Sequence, residues 1–342
     1  MGKMNSIVSV IKVKENVQKA VKEAMEKAQW HRFITRGADV ALKPNLGFDL
    51  FLPGAVTSPW VVEGIIQTIQ GYVNKIYLVE SGQILVNVEK AFHQTKMDRL
   101  CQRYQVEWLN MSKGSFRKIK LENGLALNEV EVPEILFHTE LITIPVMKTH
   151  DKTVITCAIK NQWGCLREIR HNYHLVVNEA LVDINSIVMP KFAVLDATVC
   201  LEGNAPKSGK PKVVDLVLAS SDIVALDTVA GKIMGFEPST IKSITNCAKA
   251  KLGNCNLDEI KVIGEDINQL NFNFIPAKHN FVSLLELLFR ISIFRKFVFE
   301  TPLLKLCCLG ALIWYFVWYY LGKGKKYRDN IIFNTKYGQQ WI

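Results

Sequence analysis

Residues 141–164 read LITIPVMKTHDKTVITCAIKNQWG and decide the fold class. The apolar run at 141–147 predicts a buried β-strand that delivers polar side chains at its carboxyl end. In open α/β sheets, ligands bind beyond the carboxyl ends of the strands. The side chains that would meet there are Lys148, His150, Lys160 and Asn161. We therefore expect an α/β fold with a pocket for an anionic or metal-bound substrate at this point.

Strand-like and helix-like patterns alternate on both sides of this stretch, over residues 1–280. Strands are predicted at 6–13, 38–43, 75–80, 105–109, 192–196 and 213–219, and a β-hairpin at 116–133 with Asn123-Gly124 as its turn. Helices are predicted at 17–28, 59–72, 88–102, 173–188 and 221–234, the last with Ser221 as N-cap. This order favours mixed or parallel sheets flanked by helices, in one or two lobes with a cleft between them.

The chain changes character in residues 281–342. Residues 281–299 are amphipathic and cationic, with Arg290, Arg295 and Lys296, and residues 303–321 are nineteen mostly apolar residues with Lys305 as the one charge. Large aromatic residues lie near the end of this run and four basic residues follow it, as at a membrane interface. They are Trp314, Trp318, Tyr319 and Tyr320, followed by Lys323, Lys325, Lys326 and Arg328. We expect a separate helical membrane segment that spans the bilayer or lies in its plane and contributes little to the α/β core.

The charge distribution supports a membrane partner. The net charge is +10, of which nine basic and three acidic residues place +6 in residues 281–342. Such a basic tail favours anionic lipid over nucleic acid, so no nucleic acid is expected. Residues 1–14 lack the apolar core of a signal peptide, which predicts that the main domain is cytoplasmic.

Several other polar residues are expected in the same pocket. Lys43 and Asn45 follow a predicted strand, Asn204 lies in a Gly/Pro-rich loop, and His171 and His174 lie three apart on a helix. We predict catalytic roles for His150, Lys148 and Lys160. Substrate-binding roles are predicted for Lys43, Asn45, Asn161, Asn204 and His174.

Three carboxylates complete the expected site. Asp196 ends a strand, Glu202 opens the loop that follows, and Asp227 lies beside the apolar face of a helix. We expect them to share the cleft with the lysines, either orienting them or holding a divalent metal. The eight cysteines include no C-x-x-C pair, so no iron–sulfur motif is present and the cysteines are expected to be reduced.

Taken in order, ALKPNL, TSPWVVE, IPVMKTH, TCAIKNQWG, LDATVCLEGNAPKSG and SSDIVALDTVAGKIMG resemble the family known as domain of unknown function 362, over about residues 38–236. Many members of that family carry a ferredoxin-like iron–sulfur module, and this chain departs from them in having a membrane-seeking tail instead. The resemblance implies no established activity.

The order His150, Lys160, His174 is also similar to that of nickel-pincer lactate racemases, although the gap between the lysine and the second histidine differs. That similarity implies a two-lobed α/β fold with its site between the lobes.

Three functions are compatible with these observations. The first is an enzyme at the cytoplasmic membrane face that acts on an anionic substrate, bearing phosphate or carboxylate and attached to a lipid. The second is a redox partner related to the ferredoxin-linked proteins, and the third is a membrane scaffold that binds an anionic headgroup without catalysis.

Overall fold

The structure, a computed structural model, describes residues 6–278, 281–291, 298–299 and 301–342. The side chains of five residues within these ranges fall outside the description: Glu168, Ile169, His171, Asn172 and Phe281. The predictions that concern His171, Arg295 and Lys296 therefore lie outside the described residues.

A single ten-stranded sheet organises the α/β part of the chain. Its strands are β1 (Ile7–Lys12), β2 (Val40–Pro44), β3 (Ile76–Glu80), β4 (Glu107–Asn110), β7 (Glu140–Ile144), β8 (Val146–His150), β9 (Val154–Thr156), β10 (Phe192–Glu202), β11 (Lys210–Ser220) and β12 (Lys261–Gly264). A separate antiparallel hairpin joins β5 (Phe116–Lys120) to β6 (Glu129–Pro133). The predicted mixed α/β class is confirmed, and both halves of the chain enter one sheet.

The sheet runs in the order β12-β1-β11-β10-β7-β2-β3-β4, with β8 pairing with β10 and β9. Most neighbours are parallel; the pairs β1–β11, β10–β11 and β8–β9 are antiparallel. Helices cover the sheet: α1 (Val17–Lys27), α2 (Pro59–Ile69), α3 (Val88–Gln94), α4 (Met97–Tyr104), α5 (Ala158–Asn161), α6 (Val177–Ile187), α7 (Ile223–Met234) and α8 (Lys242–Lys249). The tail adds α9 (Phe281–Ile291), α10 (Leu303–Tyr320) and α11 (Gly324–Asn334).

The sheet has a hydrophobic core on each face. Val40 and Leu42 belong to one buried cluster, whereas Ala41 between them belongs to the other. Successive side chains of a strand point to opposite faces, so this alternation means that both faces of the sheet are covered. Central strands such as β2 and β7 therefore consist mostly of apolar residues.

Several predicted elements differ in detail. The run at 141–147 is two strands, β7 and β8, separated by Pro145, so Lys148 lies inside β8 rather than beyond a strand. The helix predicted at 88–102 breaks at Lys96, which has a left-handed backbone with φ of 63°. The hairpin loop closes between Leu121 and Asn128, not as a two-residue turn. Asp222, not Ser221, is the N-cap of α7 and accepts bonds from Val224 N and Ala225 N.

The tail packs into the α/β core, contrary to our expectation. Tyr319, Ile331, Tyr337 and Trp341 are buried in the same cluster as α1 and α2. The Tyr319 hydroxyl donates to the carbonyl of Phe51 at 2.8 Å. The end of α10 is thus held by protein, and Tyr319 does not belong to an interfacial aromatic belt.

Within the described residues, α10 is the one helix long and apolar enough to cross a membrane, judged from its length and composition. Its mean hydropathy is 1.5 and 6% of it is buried. Its outer face exposes large apolar side chains: Leu306, Leu309, Ile313, Phe316 and Val317.

Candidate functional site

A cavity of about 160 Å³ lies where the parallel strands β2 and β3 and the β8–β9 hairpin end. Its remaining walls come from α5, from the loop after β10, and from α9 and α10 of the tail. The position agrees with the general rule that α/β sheets bind ligands at the carboxyl ends of their strands. Residues distant in sequence therefore meet at the edge that the sequence indicated.

Seven of the predicted site residues line this cavity: Lys43, Asn45, Lys148, His150, Lys160, Asn161 and His174. Asn204 does not; it is exposed, and its carbonyl accepts bonds from the backbone N–H and hydroxyl of Ser208. The same loop presents Ala205, Pro206 and Lys207 to the cavity instead. Asn204 therefore lies outside the cavity that the other predicted residues share.

The three predicted carboxylates do not share the cavity. Asp196 accepts bonds from Ser58 N at 2.8 Å and from the hydroxyl and backbone N–H of Thr198, and so holds the residue at which α2 starts. Glu202 forms an ion pair with Lys212 at 2.9 Å. The expectation that they join the lysines in one cleft is wrong, and among the described residues no three His, Cys, Asp or Glu side chains are grouped to hold a metal ion.

Asp227 contacts the site indirectly, through the backbone of α5. Its two carboxylate oxygens accept the N–H groups of Ala158 at 2.7 Å and Ile159 at 3.0 Å, at the start of α5. Burial raises the pKa of Asp227 to about 7. Because α5 carries Lys160 and Asn161, Asp227 is a positioning residue for the site rather than part of its lining.

Six charged lining residues were missed in the sequence: Lys152, Arg170, Lys207, Glu80, Asp151 and Glu286. Lys152 and Asp151 immediately follow His150, so they were the easiest to find. Glu80 ends a strand that had been predicted at 75–80, and this was a signal for it. Glu286 comes from the tail and carries no such signal, because only the folded chain brings α9 to the cavity.

A buried ion pair forms the floor of the cavity. Lys43 Nζ lies 3.0 Å from Glu80 Oε2, and both side chains are almost fully buried. Gly164 lies directly against this pair: a Cβ atom there would come within 2.5 Å of Lys43 Nζ and 2.6 Å of Glu80 Oε1. The glycine of the NQWG motif is therefore required by close packing.

A chain of amide hydrogen bonds orients Lys148. Its Nζ donates to Asn45 Oδ1 at 3.0 Å and to the carbonyl of Ala55 at 2.8 Å. Asn45 Nδ2 donates in turn to Asn161 Oδ1 at 3.1 Å, and Asn161 Nδ2 donates to the Lys43 carbonyl and to Thr143 Oγ1. The two asparagines thus connect three strand ends and fix the position of the Lys148 amine.

Burial lowers the pKa of Lys148 to about 7, with the charge of Lys207 adding to the effect. Lys148 is 2% exposed. A neutral amine has two N–H bonds, and Asn45 and Ala55 accept both of them. The lone pair of Nζ then occupies the remaining tetrahedral position. Lys148 is therefore able to accept a proton near neutral pH.

The pKa of Lys160 is also lowered. Burial lowers its pKa well below the usual value, and the charges of Arg170, Lys152 and Lys148 lower it further. Its Nζ lies 4.8 Å from the centre of the Trp163 ring. Among the described residues no carboxylate lies within 4 Å of this amine, so an incoming anion would be its first close counter-charge.

His150 is neutral at pH 7, because burial and then the charge of Lys160 lower its pKa to about 4, against the opposing effect of Asp151. Its Nδ1 accepts the backbone N–H of Lys152 at 3.0 Å. Asp151 Oδ1 lies 3.1 Å from the same nitrogen, so the two neighbours of Nδ1 favour opposite tautomers. Its low pKa makes His150 a weaker general base than we expected.

A tail residue occupies part of the cavity. Glu286 of α9 lies 2.6 Å from His174 Nδ1 and 3.3 Å from Lys152 Nζ. Burial lowers the pKa of His174, so its neutral ring donates Nδ1–H to this carboxylate. Burial opposes ionisation of Glu286, but its bonds to His174 and the charge of Lys152 hold its pKa well below the usual range.

The lining as a whole favours an anion. Six basic side chains face three carboxylates: Lys43, Lys148, Lys152, Lys160, Lys207 and Arg170 against Glu80, Asp151 and Glu286. Burial and low pKa values mean that part of this positive charge appears only when a negative ligand enters. The excess of basic side chains makes an anion the chemically matched ligand for this lining.

Comparison with known proteins agrees with the extent of the site-bearing region. A thylakoid-associated protein of Synechocystis sp. is 28% identical over 232 residues, which are 65% of this chain and 70% of that protein. A Thermotoga maritima protein solved by structural genomics has a TM-score of 0.40 and 10% identity, covering 68% of this chain and 58% of that one. The family model described as Domain of unknown function (DUF362) matches residues 40–232. Because this match covers more than half of the sequence and includes Lys43, Lys148, His150 and Lys160, the chain belongs to the DUF362 family.

Proposed function

We propose that the protein is a membrane-associated enzyme that acts on an anionic, lipid-linked substrate at the cytoplasmic membrane face. The substrate would carry a phosphate or a carboxylate. The observation that carries this proposal is the cavity with six basic side chains against three carboxylates, several of the lysines being buried with lowered pKa values. The basic side chains outnumber the carboxylates two to one, and buried groups with shifted pKa values are typical of functional sites.

Within this proposal the lysines and His150 have distinct roles. Lys160, Lys207, Arg170 and the protonated form of Lys148 bind the anion, and His150 forms a hydrogen bond with it. Lys148 transfers the proton, because its lone pair is free of the two bonds that orient the amine. Such charge-assisted contacts to a developing negative charge stabilise a transition state in a site from which water is excluded.

Membrane association is proposed from two observations. The outer face of α10 exposes Leu309 and Phe316, among other apolar side chains, and a relative of this chain is thylakoid-associated. The end of α10 is held by Tyr319 in the core. The helix is then better suited to lie partly embedded in one leaflet, as a monotopic anchor, than to span the bilayer.

A non-catalytic scaffold that binds an anionic headgroup would use the same cavity, and only the fate of the ligand separates it from an enzyme. A divalent metal or a redox cofactor would need ligands, and Asp196, Glu202 and Asp227 already have other partners. The lysine cavity therefore favours anion chemistry over the redox alternative.

The proposal can be tested with sulfate, which does not titrate near neutral pH, and with Lys148→Met. We expect full-length protein in neutral nanodiscs to bind sulfate, and Lys148→Met to weaken binding roughly tenfold or more, since a charge-assisted hydrogen bond contributes about 1.5–3 kcal/mol. Lys22→Met, an exposed site on α1, is the control. Equal binding by both variants would contradict the anion site.

Catalysis needs a second measurement. Wild-type protein incubated with a total lipid extract should change anionic lipid species detected by untargeted mass spectrometry, and Lys148→Met should not. Sulfate binding without any such change would favour the scaffold over the enzyme.

A further inference from the structure

A second cavity, of about 280 Å³, adjoins the cationic one and is built mainly by the tail. Its walls are apolar and include Leu285, Phe289, Val298, Leu304 and Trp314. Its charged members, Glu286 and Arg290, are bonded to each other, with Arg290 Nε 2.9 Å from Glu286 Oε1. What remains is a largely apolar surface without free charges of its own, which we call the tail groove.

The two cavities are adjacent. Leu85, Val282 and Glu286 line both of them. Glu286 marks the boundary, because its carboxylate faces His174 and Lys152 on one side and its helix faces the apolar groove on the other. A ligand that fills both cavities would place a negative group among the lysines and an apolar group between α9 and α10.

One face of helix α10 lines the tail groove, and the opposite face is exposed. Side chains spaced three or four residues apart face the groove, and the next turn brings Tyr315 to the cationic cavity. The groove-facing residues are Leu304, Cys307, Cys308, Ala311 and Trp314. The exposed apolar residues Leu306, Leu309, Ile313 and Phe316 lie on the other side of the helix. The groove is therefore a separate feature from the surface that would contact a bilayer.

We propose that the tail groove is a chain-binding site, which takes one hydrocarbon chain of an anionic amphiphile whose headgroup lies in the cationic cavity. This inference rests on the proposed function and narrows its substrate to a single-chain or chain-extracted lipid with a phosphate or carboxylate head. Charge complementarity selects the head, and the removal of apolar surface from water selects the chain.

Gly310 offers a way to block the groove without touching the lysines. It lines the groove within α10, and a Cβ atom built there meets nothing within 4 Å. A phenylalanine at this position would extend into the space that the chain occupies. Leu309→Phe is the matched control, because Leu309 is the adjacent residue on the exposed face of the same helix.

The test is a series of alkyl phosphates from methyl to octyl, titrated calorimetrically into full-length protein in phosphatidylcholine nanodiscs, with empty nanodiscs subtracted. We expect affinity to rise by roughly fourfold for each added methylene that is buried. Gly310→Phe should remove this rise while leaving methyl phosphate binding unchanged, which also shows that the variant is folded. Leu309→Phe should bind like the wild type. Gly310→Leu serves as a smaller block if Gly310→Phe does not fold.

Affinity that is independent of chain length, or a wild-type rise in Gly310→Phe, would overturn the chain-binding site and leave the anion cavity standing. Lys148→Met tests the headgroup site separately from the chain-binding site, because it should weaken the binding of every alkyl phosphate in the series by the same factor. If Lys148→Met has no effect while octyl phosphate binding still depends on Gly310, the proposed headgroup chemistry fails and the chain site stands.

Discussion

Lys148 has a pKa that couples anion binding to pH. In the empty site burial lowers this pKa to about 7, and a bound anion would raise it again by favouring the ammonium form. Below pH 7 the amine is charged with or without ligand, so affinity is constant. Above pH 7 binding requires proton uptake, so affinity falls as the pH rises, by up to tenfold per pH unit for each coupled amine.

We therefore predict that sulfate binding weakens between pH 7 and pH 9, and that calorimetry in buffers of different ionisation enthalpy detects proton uptake at pH 8. Lys207 contributes in the same direction, because burial lowers its pKa to about 8. Lys148→Met should flatten part of the pH dependence and keep the part due to Lys207. An affinity that stays constant between pH 7 and pH 9 would show that the lysines are already fully charged without the anion and would contradict this prediction.

Gly164 allows a second prediction at the scale of one residue. Gly164→Ala would push a methyl group against the buried Lys43–Glu80 pair, and neither side chain has exposed space to move into. We expect a loss of about 1–3 kcal/mol in the free energy of unfolding, as for other overpacked interiors, together with weaker sulfate binding. Urea unfolding measures the first effect. Gly114→Ala is the control, since its Cβ would meet only Met111 O at 3.7 Å.

Single residues were predictable where they lie next to the end of an apolar run. Lys43, Asn45 and Lys148 follow or end such runs, and they line one cavity as the rule that ligands bind at strand ends led us to expect. Asp196 looks like a site residue because it ends an apolar run, and Asp227 because it lies beside the apolar face of a helix, but their carboxylates accept backbone N–H groups inside the fold. A sequence pattern locates a carboxylate near the site and does not reveal which donor it meets.

At the scale of elements, α10 has two different faces. Its 18 residues extend roughly 27 Å, slightly less than the hydrocarbon core of about 30 Å. Tyr315 contacts Phe48 edge-on, with ring centroids 6.1 Å apart, and Tyr319 is buried. The last turns of α10 therefore pack against the protein, and only the exposed face of the helix is available to lipid.

This geometry predicts how single charges affect membrane binding. Leu309→Asp or Phe316→Asp should weaken binding of the full-length chain to vesicles by tenfold or more, since each loses the burial of a large apolar side chain, about 1.5–3 kcal/mol. Flotation with phosphatidylcholine vesicles containing anionic lipid measures this. Leu125→Asp, at an exposed leucine in the hairpin loop, is the control. If all three variants float equally, the face of α10 does not bind lipid.

Element types were predicted better than their ends. The strand at 192–196 continues to Glu202, because β11 pairs with it along its whole length, a contact that no local pattern reports. The hairpin loop is long because the carboxylate of Asp183 binds three consecutive N–H groups at 125–127. Long-range partners thus set the boundaries that local periodicity leaves open.

At the scale of the whole molecule, alternating strands and helices predicted the layered class but not the strand order. The first strand, β1, lies between β11 and β12, so the beginning and the later part of the α/β region close the same edge of the sheet. The family match at 40–232 includes neither β1 nor the tail. Which distant strands pair is decided by how whole faces of the sheet and its helices pack together. A short stretch of sequence does not contain this information.

The C-terminal residues provide a test of this long-range packing. Tyr337 and Trp341 are buried against the core, Trp341 meets Phe51 with ring centroids 5.4 Å apart, and Lys336 pairs with Asp215 at 3.0 Å. Gln340 accepts bonds from the Ser58 hydroxyl and from Trp60 N at the start of α2. This short segment therefore covers apolar surface of the α/β core and completes its hydrogen bonds.

We predict that deleting residues 337–342 destabilises the protein by at least about 4 kcal/mol, because removing one large buried aromatic side chain costs about 3–5 kcal/mol and this deletion removes two. Deleting Ile342 alone should have little effect, since it is 70% exposed. Urea unfolding of both variants in the same nanodiscs measures the difference. The deletion should also alter sulfate binding, because Ser58 adjoins Thr57, whose hydroxyl accepts the N–H of Asn45 in the anion cavity. Unchanged stability in the longer deletion would instead mean that the tail is an independent anchor, as its composition alone suggested.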